Sequence, residues 1–388
     1  RASAMLLKIL LLCWVSSTES AQAFRIHMDT DPLAKSVDWI ENWRPTFEAF
    51  LSSEVSRSMG EDVRFKLFKA DGSIPIQEIV SDEIFDFYFT APQFVACLQA
   101  QFSVQPLLTI RKYLPGGGES NVYAGIIVAS ASNKNVESIM DIKDSVVGIE
   151  GVSAWGSSLL QQDALRLNGL SLFRDAKQVI TGIYFRSLQS SGKVHFDQSE
   201  ILESVRKREI DFGFVRAEII AGLESINATS GSYFKRIGAW NATMPGTSTP
   251  YPFPVGSKLF PEWALLAYPH VSYEAKLAVV RALLQLNRTS PEAVRARYAA
   301  WQLADVYQGV VNVLDDMQAF AAPAGGELPG HQCAWYAPGY SDYDTVACPP
   351  GSYKVLEAEA VQNCRLANLS CPGRVCWCRP CRESSEFE

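Results

Sequence analysis

Short apolar runs alternate with amphipathic segments along most of this chain. Six runs are rich in β-branched and aromatic residues and lie at 63–68, 85–90, 107–113, 122–129, 146–149 and 210–215. Runs of this length that are apolar at nearly every position are typical of strands covered on both faces. The pattern therefore predicts the buried strands of a largely parallel sheet.

Helical patterns separate these runs. Residues 157–168 place leucines at helical spacing and stop before Gly169, and Ser36 is a suitable cap for a helix that ends near Gly60. Further helical segments lie at 198–208, 217–223 and 273–286, with another start at Ser290-Pro291-Glu292. Alternation of strands and helices predicts an α/β fold. Because the region is long for a single sheet, we expect two lobes.

Composition excludes several classes of protein. Apolar residues make up 47% of the 388 residues and charged residues 20%, which is typical of neither a disordered chain nor a membrane bundle. The net charge is −7, and no basic run exceeds Arg206-Lys207-Arg208, so we expect no nucleic-acid partner. An anionic small ligand remains compatible, because a few backbone N–H groups can hold an anion.

The N-terminal segment predicts secretion. Residues 5–23 have a lysine, a short apolar run at 9–15 and small residues at Ala21 and Ala23, as in a signal peptide cleaved after Ala23. The run is too short to span a bilayer, and the alternative is a buried first helix. We expect a secreted chain or one on the extracellular face of a membrane. A membrane anchor and signalling domain beyond Glu388 are compatible with this prediction.

The cysteines divide the chain. Of nine, Cys13 lies in the predicted signal peptide, and Cys97 is expected to be a small buried apolar residue. The other seven are Cys333, Cys348, Cys364, Cys371, Cys376, Cys378 and Cys381. They follow a Pro/Gly linker, so we expect a disulfide-rich extracellular module at 323–388. Zinc at Cys378 and Cys381 is the alternative, which a secretory context disfavours. Glycosylation sequons begin at Asn227, Asn241, Asn287 and Asn368.

Several segments of the body match a known family in order. The segment 210–216 (IDFGFVR), the segment 253–263 (FPVGSKLFPEW) and the helix pattern at 273–286 resemble phosphonate/phosphate-type solute-binding proteins. The segment 300–314 resembles the closing segment seen where this domain is the sensor of a receptor kinase. The resemblance covers 24–320.

This resemblance implies a type 2 periplasmic-binding-protein fold over 24–322, with the ligand in a cleft between two α/β lobes. Lobe one would comprise 24–112 and 222–320, and lobe two 113–221. The expected ligand is a small anionic or polar solute, with phosphate- or phosphonate-like groups as candidates. Closure of the lobes on the ligand would be the signal.

The loop 150–158 is the leading candidate for ligand contact. It joins a strand to a helix start, where backbone N–H groups favour negative charge, and it offers the hydroxyls of Ser153 and Ser157. A plain capped helix is the alternative. Relatives carry a Ser/Thr-rich triplet before the glycine, whereas this chain has Ser153-Ala154-Trp155. Trp155 is therefore expected to stack on a planar or apolar ligand.

Five further residues are candidate ligand contacts. Tyr88 and Thr90 end a strand whose edge is expected to face the cleft, with core packing as the alternative. Tyr123 lies on the presumed crossover between lobes. The resemblance implies a ligand-contacting role for His195, although a lone histidine can equally be structural. Arg216 is expected to bind an anionic ligand or to pair with Glu218.

Catalytic signatures are missing from the sequence. There are four histidines and no G-x-S-x-G, H-E-x-x-H or phosphate-binding P-loop pattern, so we predict no enzyme, cofactor or metal. The favoured function is the extracellular sensory domain of a membrane receptor. A free binding component of an ABC importer is the alternative, and an enzyme on the same fold is a third.

Overall fold

The computed structural model describes residues 22–28, 38–69, 76–151, 154–181, 198–226, 232–321, 352–356 and 376–380. The strands are β1 (Gln22–Met28), β2 (Val63–Lys69), β3 (Phe87–Thr90), β4 (Gln105–Tyr113), β5 (Glu119–Ser120), β6 (Val122–Tyr123), β7 (Gly125–Ser130), β8 (Val146–Ile149), β9 (Gln178–Thr181), β10 (Phe212–Arg216), β11 (Phe234–Ile237), β12 (Phe260–Pro261), β13 (Ala264–Ala267), β14 (Tyr298–Leu303), β15 (Ser352–Leu356) and β16 (Cys376–Pro380).

The α-helices are α1 (Asp38–Met59), α2 (Ile76–Ser81), α3 (Pro92–Phe102), α4 (Leu160–Leu167), α5 (Leu172–Asp175), α6 (Gln198–Lys207), α7 (Ala217–Ile226), α8 (Tyr273–Leu283), α9 (Pro291–Ala296) and α10 (Gln308–Ala321). A 3₁₀ helix lies at Ile139–Ile142, and a π-helical turn at Trp155–Leu159 leads directly into α4.

The first lobe is built on a mixed sheet in the order β14-β4-β13-β3-β1-β2, with β5 on β4. Strands β2 and β3 pair in parallel with β1, whereas β13, β4 and β14 pair antiparallel. Helix α1 covers β2 and buries Phe47, Leu51 and Val55, which recur at helical spacing. The expectation of a largely parallel sheet is therefore wrong for this half, because the strands that return late in the chain run against the others.

The second lobe has a five-stranded sheet in the order β11-β7-β10-β8-β9. Strand β11 pairs antiparallel with β7, and the following loop buries Tyr251, Phe253 and Val255 in this lobe's core. The predicted return to the first lobe at residue 222 is thus placed too early. The chain stays with the second sheet until after residue 257, because β11 completes its edge.

Two chain passages connect the lobes. Strands β6 and β12 form an antiparallel pair, with Tyr123 opposite Phe260, between the two sheets. Just beyond it, the Gly125 N–H donates to Ser257 Oγ at 3.0 Å, and the Gly256 N–H donates to the Gly125 carbonyl at 2.8 Å. The two crossings are therefore held side by side, which is the arrangement that a hinge between lobes requires.

The terminal predictions lie largely outside the described residues. Within 323–388 the structure describes β15 and β16, which pair antiparallel and place Cys376 and Cys378 on one strand. The signal peptide, the other tail cysteines and the disulfide pairing of the tail stay predictions. Cys97 is buried on α3 and is disulfide-bonded, so the prediction of a plain apolar role for it is wrong. Among the described helices, none combines the length and apolarity needed to cross a bilayer.

Candidate ligand site between the lobes

Three elements meet at the junction of the lobes. The guanidinium of Arg216, at the end of β10, lies 3.7 Å from the ring centre of Tyr123 on β6, and each residue is 2% exposed. Gly156, at the start of the π turn, fits against both: a Cβ there would lie 2.6 Å from Arg216 Cγ and 2.7 Å from Tyr123 Cε2. A side chain at position 156 would therefore displace the arginine or the tyrosine.

Arg216 is held between two buried carboxylates. Its Nε pairs with Glu218 Oε1 and its Nη2 with Glu262 Oε1, and Lys112 Nζ lies 3.5 Å from the other oxygen of Glu262. Of the two roles expected for Arg216, the structure shows the pair with Glu218. The contact with Glu262 lies 46 residues away in the chain and has no local sequence signal.

Burial shapes the protonation of this cluster. Burial raises the pKa of Glu218, while the neighbouring Arg216 lowers it. Burial also raises the pKa of Tyr123, against the opposing charge of Arg216, and that of Tyr251. Both phenols are therefore neutral.

The helix start of the second lobe is buried against the first lobe. Trp155 is 2% exposed and meets Phe260 edge to face at 5.2 Å, and Leu159 and Leu160 join the first lobe's core. The indole Nε1 is buried and makes no hydrogen bond with any residue that the structure describes. Trp155 is thus a contact between the lobes and a candidate donor to a ligand.

Both described serine hydroxyls of the helix start are engaged by protein groups. Ser157 Oγ donates to Glu150 Oε2 at 2.5 Å, and Gln198 Nε2 donates to the same oxygen at 3.0 Å. Ser158 Oγ accepts a hydrogen bond from Gln162 Nε2 at 2.9 Å. Sequence reasoning placed Ser157 in the site but missed Glu150 as its partner.

Gln161 and Gln198 tie the loop to the central strand. Gln161 Nε2 donates to the carbonyls of Gly156 at 2.9 Å and Val215 at 2.8 Å, and the side chain is buried. Gln198 Oε1 accepts from the Arg216 N–H at 2.6 Å. These amides fix the distance between the helix start and β10.

An ion pair joins the lobes at their rim. Arg166 on α4 binds Asp163 on its own helix at 2.8 Å and Asp316 on α10 of the first lobe at 2.9 Å. Asp316 is 59% exposed and Arg166 is 18% exposed, so breaking this contact returns Asp316 to solvent and leaves Arg166 paired with Asp163.

The other predicted site residues stay predictions as ligand contacts. Tyr88 is buried in the first sheet and stacks on His27 at 4.6 Å, and Thr90 is buried on the same strand opposite Ala264. Ser153 and His195 lie outside the described residues. The structure therefore brings Tyr123, Trp155, Ser157 and Arg216 to one junction, and it places Tyr88 and Thr90 within the first lobe.

The remaining sequence features can be located in part. Asn241 and Asn287 are exposed, as glycan acceptors must be, and Asn227 and Asn368 lie outside the described residues. In the part of the chain that the structure describes, no three metal-ligating side chains cluster.

Comparisons with known proteins identify the family. A family model described as "ABC transporter, phosphonate, periplasmic substrate-binding protein" matches residues 32–317. The solved structure of XAC2383 from Xanthomonas citri bound to ATP superposes with a TM-score of 0.55 at 11% sequence identity, covering 78% of this chain and 100% of that chain. A binding protein component of an ABC phosphonate transporter (PA3383) from Pseudomonas aeruginosa superposes with a TM-score of 0.51 at 13% identity, covering 83% and 95%.

At such low identities the two structures show the fold alone. No curated protein matches the sequence of this chain. The family model spans both lobes, the crossover strands and the junction described above. This chain therefore belongs to the family of periplasmic substrate-binding proteins of the phosphonate ABC transporter type.

Proposed function

We propose that this chain binds a small polar solute at the junction of its lobes and closes on it. The observation that supports this best is the packing of Trp155 on Phe260. This packing buries a residue of the second lobe against the first lobe. Separating the lobes would expose Trp155 and the helix start beside it. A solute that binds only when these groups are brought together shifts the population toward the closed state.

The residues in this proposal have distinct roles. Trp155 supplies an apolar face and an indole N–H, and Tyr123 with Arg216 forms the floor at the crossover. Gln161 and Gln198 hold the loop in register with β10. Ser153 and His195 remain proposed contacts from the family resemblance. Tyr88 and Thr90, buried on β3, remain proposed contacts from the edge of the first sheet.

We further propose that the domain serves as the extracellular sensor of a membrane receptor. The cysteine-rich segment after α10 and the resemblance of 300–314 to receptor sensor domains support this role. The alternative, a free binding component of an importer, is supported by the family match. Sequencing the complete transcript distinguishes them: a membrane span followed by a kinase or cyclase domain supports the sensor, and a stop soon after the Glu388 codon favours the importer.

Thermal unfolding tests the binding proposal. The secreted chain is screened against inorganic phosphate, methylphosphonate, ATP, ethanolamine and choline. A solute at about 100 times its Kd adds about 2.7 kcal/mol to the free energy of unfolding. We expect Trp155→Ala to abolish the rise in Tm given by the best solute. Trp240→Ala, which changes an exposed tryptophan of the same lobe, is the matched control. Full binding in Trp155→Ala would show that the site lies elsewhere.

A further inference from the structure

The turn that leads into α10 is bound to both passages between the lobes. Asp305 Oδ2 accepts a hydrogen bond from Asn121 Nδ2 at 2.8 Å, and Tyr307 Oη donates to the Glu262 carbonyl at 2.8 Å. Asn121 lies just before β6 and Glu262 just after β12, so each belongs to one of the two crossings. The Glu262 N–H donates to the Asn121 carbonyl at 2.7 Å, which continues the pairing of β6 with β12. One turn of the first lobe therefore holds both crossings side by side.

Thr109 on β4 closes these contacts into a hydrogen-bond cycle. The Asp305 N–H donates to Thr109 Oγ1 at 3.0 Å, and Thr109 Oγ1 lies 3.0 Å from Tyr307 Oη. Because the single hydroxyl proton of Tyr307 is donated to Glu262, Thr109 must donate its own proton to Tyr307. Burial raises the pKa of Tyr307, so the phenol keeps this proton. The cycle therefore joins both crossings to the sheet of the first lobe through matched donors and acceptors.

On their far side the crossings are tied to the second lobe. The Ala217 N–H donates to the Ala124 carbonyl at 2.9 Å, and the Gly256 N–H donates to the carbonyl of the first residue of β7 at 2.8 Å. Residues 122–123 of one crossing and 258–261 of the other lie between these contacts and the cycle. Short segments between two hydrogen-bonded ends are the places where backbone rotation changes the angle between lobes.

We propose that the turn 305–307 is a third part of the hinge, which clamps both crossings to the first lobe and confines the rotation of the lobes to 122–123 and 258–261. Tyr307 is the positioning residue of this clamp, because its hydroxyl connects the core of the first lobe to the Glu262 carbonyl. This inference rests on the proposed function, since it assigns the pivot of the closure proposed there.

Loss of the clamp should open the unliganded protein. Without the hydrogen-bond cycle, the crossings can bend at a level deeper in the first lobe, which adds rotations that the clamp prevents. Because Trp155 already packs on Phe260, the added freedom lets the lobes separate further and does not bring them closer. The fraction of molecules that can bind solute then falls, and the measured affinity falls with it.

Small-angle X-ray scattering of the unliganded secreted chain tests the clamp. Tyr307→Phe removes only the hydroxyl, and Asn121→Ala breaks the cycle at a second point while keeping the backbone bond to Glu262. We expect a larger radius of gyration and longer interlobe distances in both variants than in the wild type. Tyr298→Phe, which removes the hydroxyl of another buried tyrosine of the first lobe, should leave both quantities unchanged. Tyr307→Phe should also weaken binding of the most stabilising solute by about threefold to tenfold, as expected for one buried hydrogen bond.

A purely structural role inside the first lobe predicts a different result. Tyr307→Phe would then lower Tm and leave the radius of gyration and the interlobe distances at their wild-type values, which would overturn the proposal. An equal opening in Tyr298→Phe would also overturn it, as would wild-type scattering in Asn121→Ala. Scattering of the unliganded chain needs no solute, so the proposed function fails separately, if no solute in the thermal screen stabilises the chain.

Discussion

Replacing Arg216 with methionine should destabilise the unliganded protein strongly. The guanidinium is 2% exposed and lies between Glu218 and Glu262, both of which are buried. Methionine fills much of the same volume but leaves two carboxylates without their shared cation. Lys112 still faces Glu262, so Glu218 loses most. Removing one partner of a buried ion pair costs about 3–5 kcal/mol.

Thermal unfolding of the secreted chain measures this cost. Since 1 kcal/mol shifts Tm by roughly 2–4 °C in domains of about 150–250 residues, we expect Tm to fall by about 6–20 °C. The matched control is Arg236→Met, which removes a guanidinium paired with Glu224 at the surface of the same lobe. Because both groups of that pair are partly exposed, its loss should cost less than about 1 kcal/mol.

The pH dependence of the stability lost in Arg216→Met shows whether the unpaired charge of Glu218 causes the loss. Arg216 lowers the pKa of Glu218, whereas burial raises it. Without the arginine, the pKa of Glu218 in the folded variant rises further. Glu218 therefore binds a proton more readily in the folded variant than in the unfolded chain. Its stability should therefore recover toward wild type as the pH is lowered through that raised pKa. A deficit no larger than that of Arg236→Met, or one that grows in acid, would refute the structural role of Arg216.

Four further outcomes are expected. Gly156→Ala should lower the free energy of unfolding by about 1–3 kcal/mol, because its Cβ would collide with Arg216 and Tyr123; Gly151→Ala, with nothing within 4 Å, should be neutral in the same urea titration. Asp316→Ala should change Tm by only a few degrees, because its pair with Arg166 is exposed on the aspartate side. In wild type, the part of the free energy of unfolding due to Glu218 should be lost as the pH rises through its raised folded pKa, and Glu218→Gln should lack that slope. Non-reducing peptide mapping should recover the Cys97 peptide joined to a second cysteine-containing peptide, because Cys97 is disulfide-bonded; a Cys97 peptide with a free thiol would contradict this.

The sequence predicted those strands whose apolar residues form a run or alternate with polar residues. β8 is an apolar run, and in β2 Val63, Phe65 and Leu67 alternate with charged residues. β11 (FKRI) was missed because it carries two basic residues at the edge of its sheet, where both can reach solvent. β13 was missed because a short ALLA segment fits a helix equally well. In the first sheet the missed strand β13 runs antiparallel to both of its neighbours. In the second sheet β7, which the sequence did indicate, runs antiparallel to both β10 and β11, so both sheets are mixed.

The candidate site was predictable in position but not in chemistry. Tyr123, Trp155 and Ser157 follow from the crossover and from the strand-to-helix loop, both of which have local signals. The pairing of Arg216 with Glu262 depends on how β12 returns beside β6, and nothing near either residue indicates it. The hydrogen bond from Gln198 to Glu150 joins residues 48 positions apart, so it too depends on the folded chain.

Small-angle X-ray scattering can show whether the lobes close on a solute. The secreted chain is measured alone and with the solute that raises its Tm most in the thermal screen. We expect a smaller radius of gyration and shorter distances between the lobes when that solute is bound, and no such change in Trp155→Ala. A solute that binds to the wild type and leaves the radius of gyration and the interlobe distances unchanged would contradict closure of the lobes.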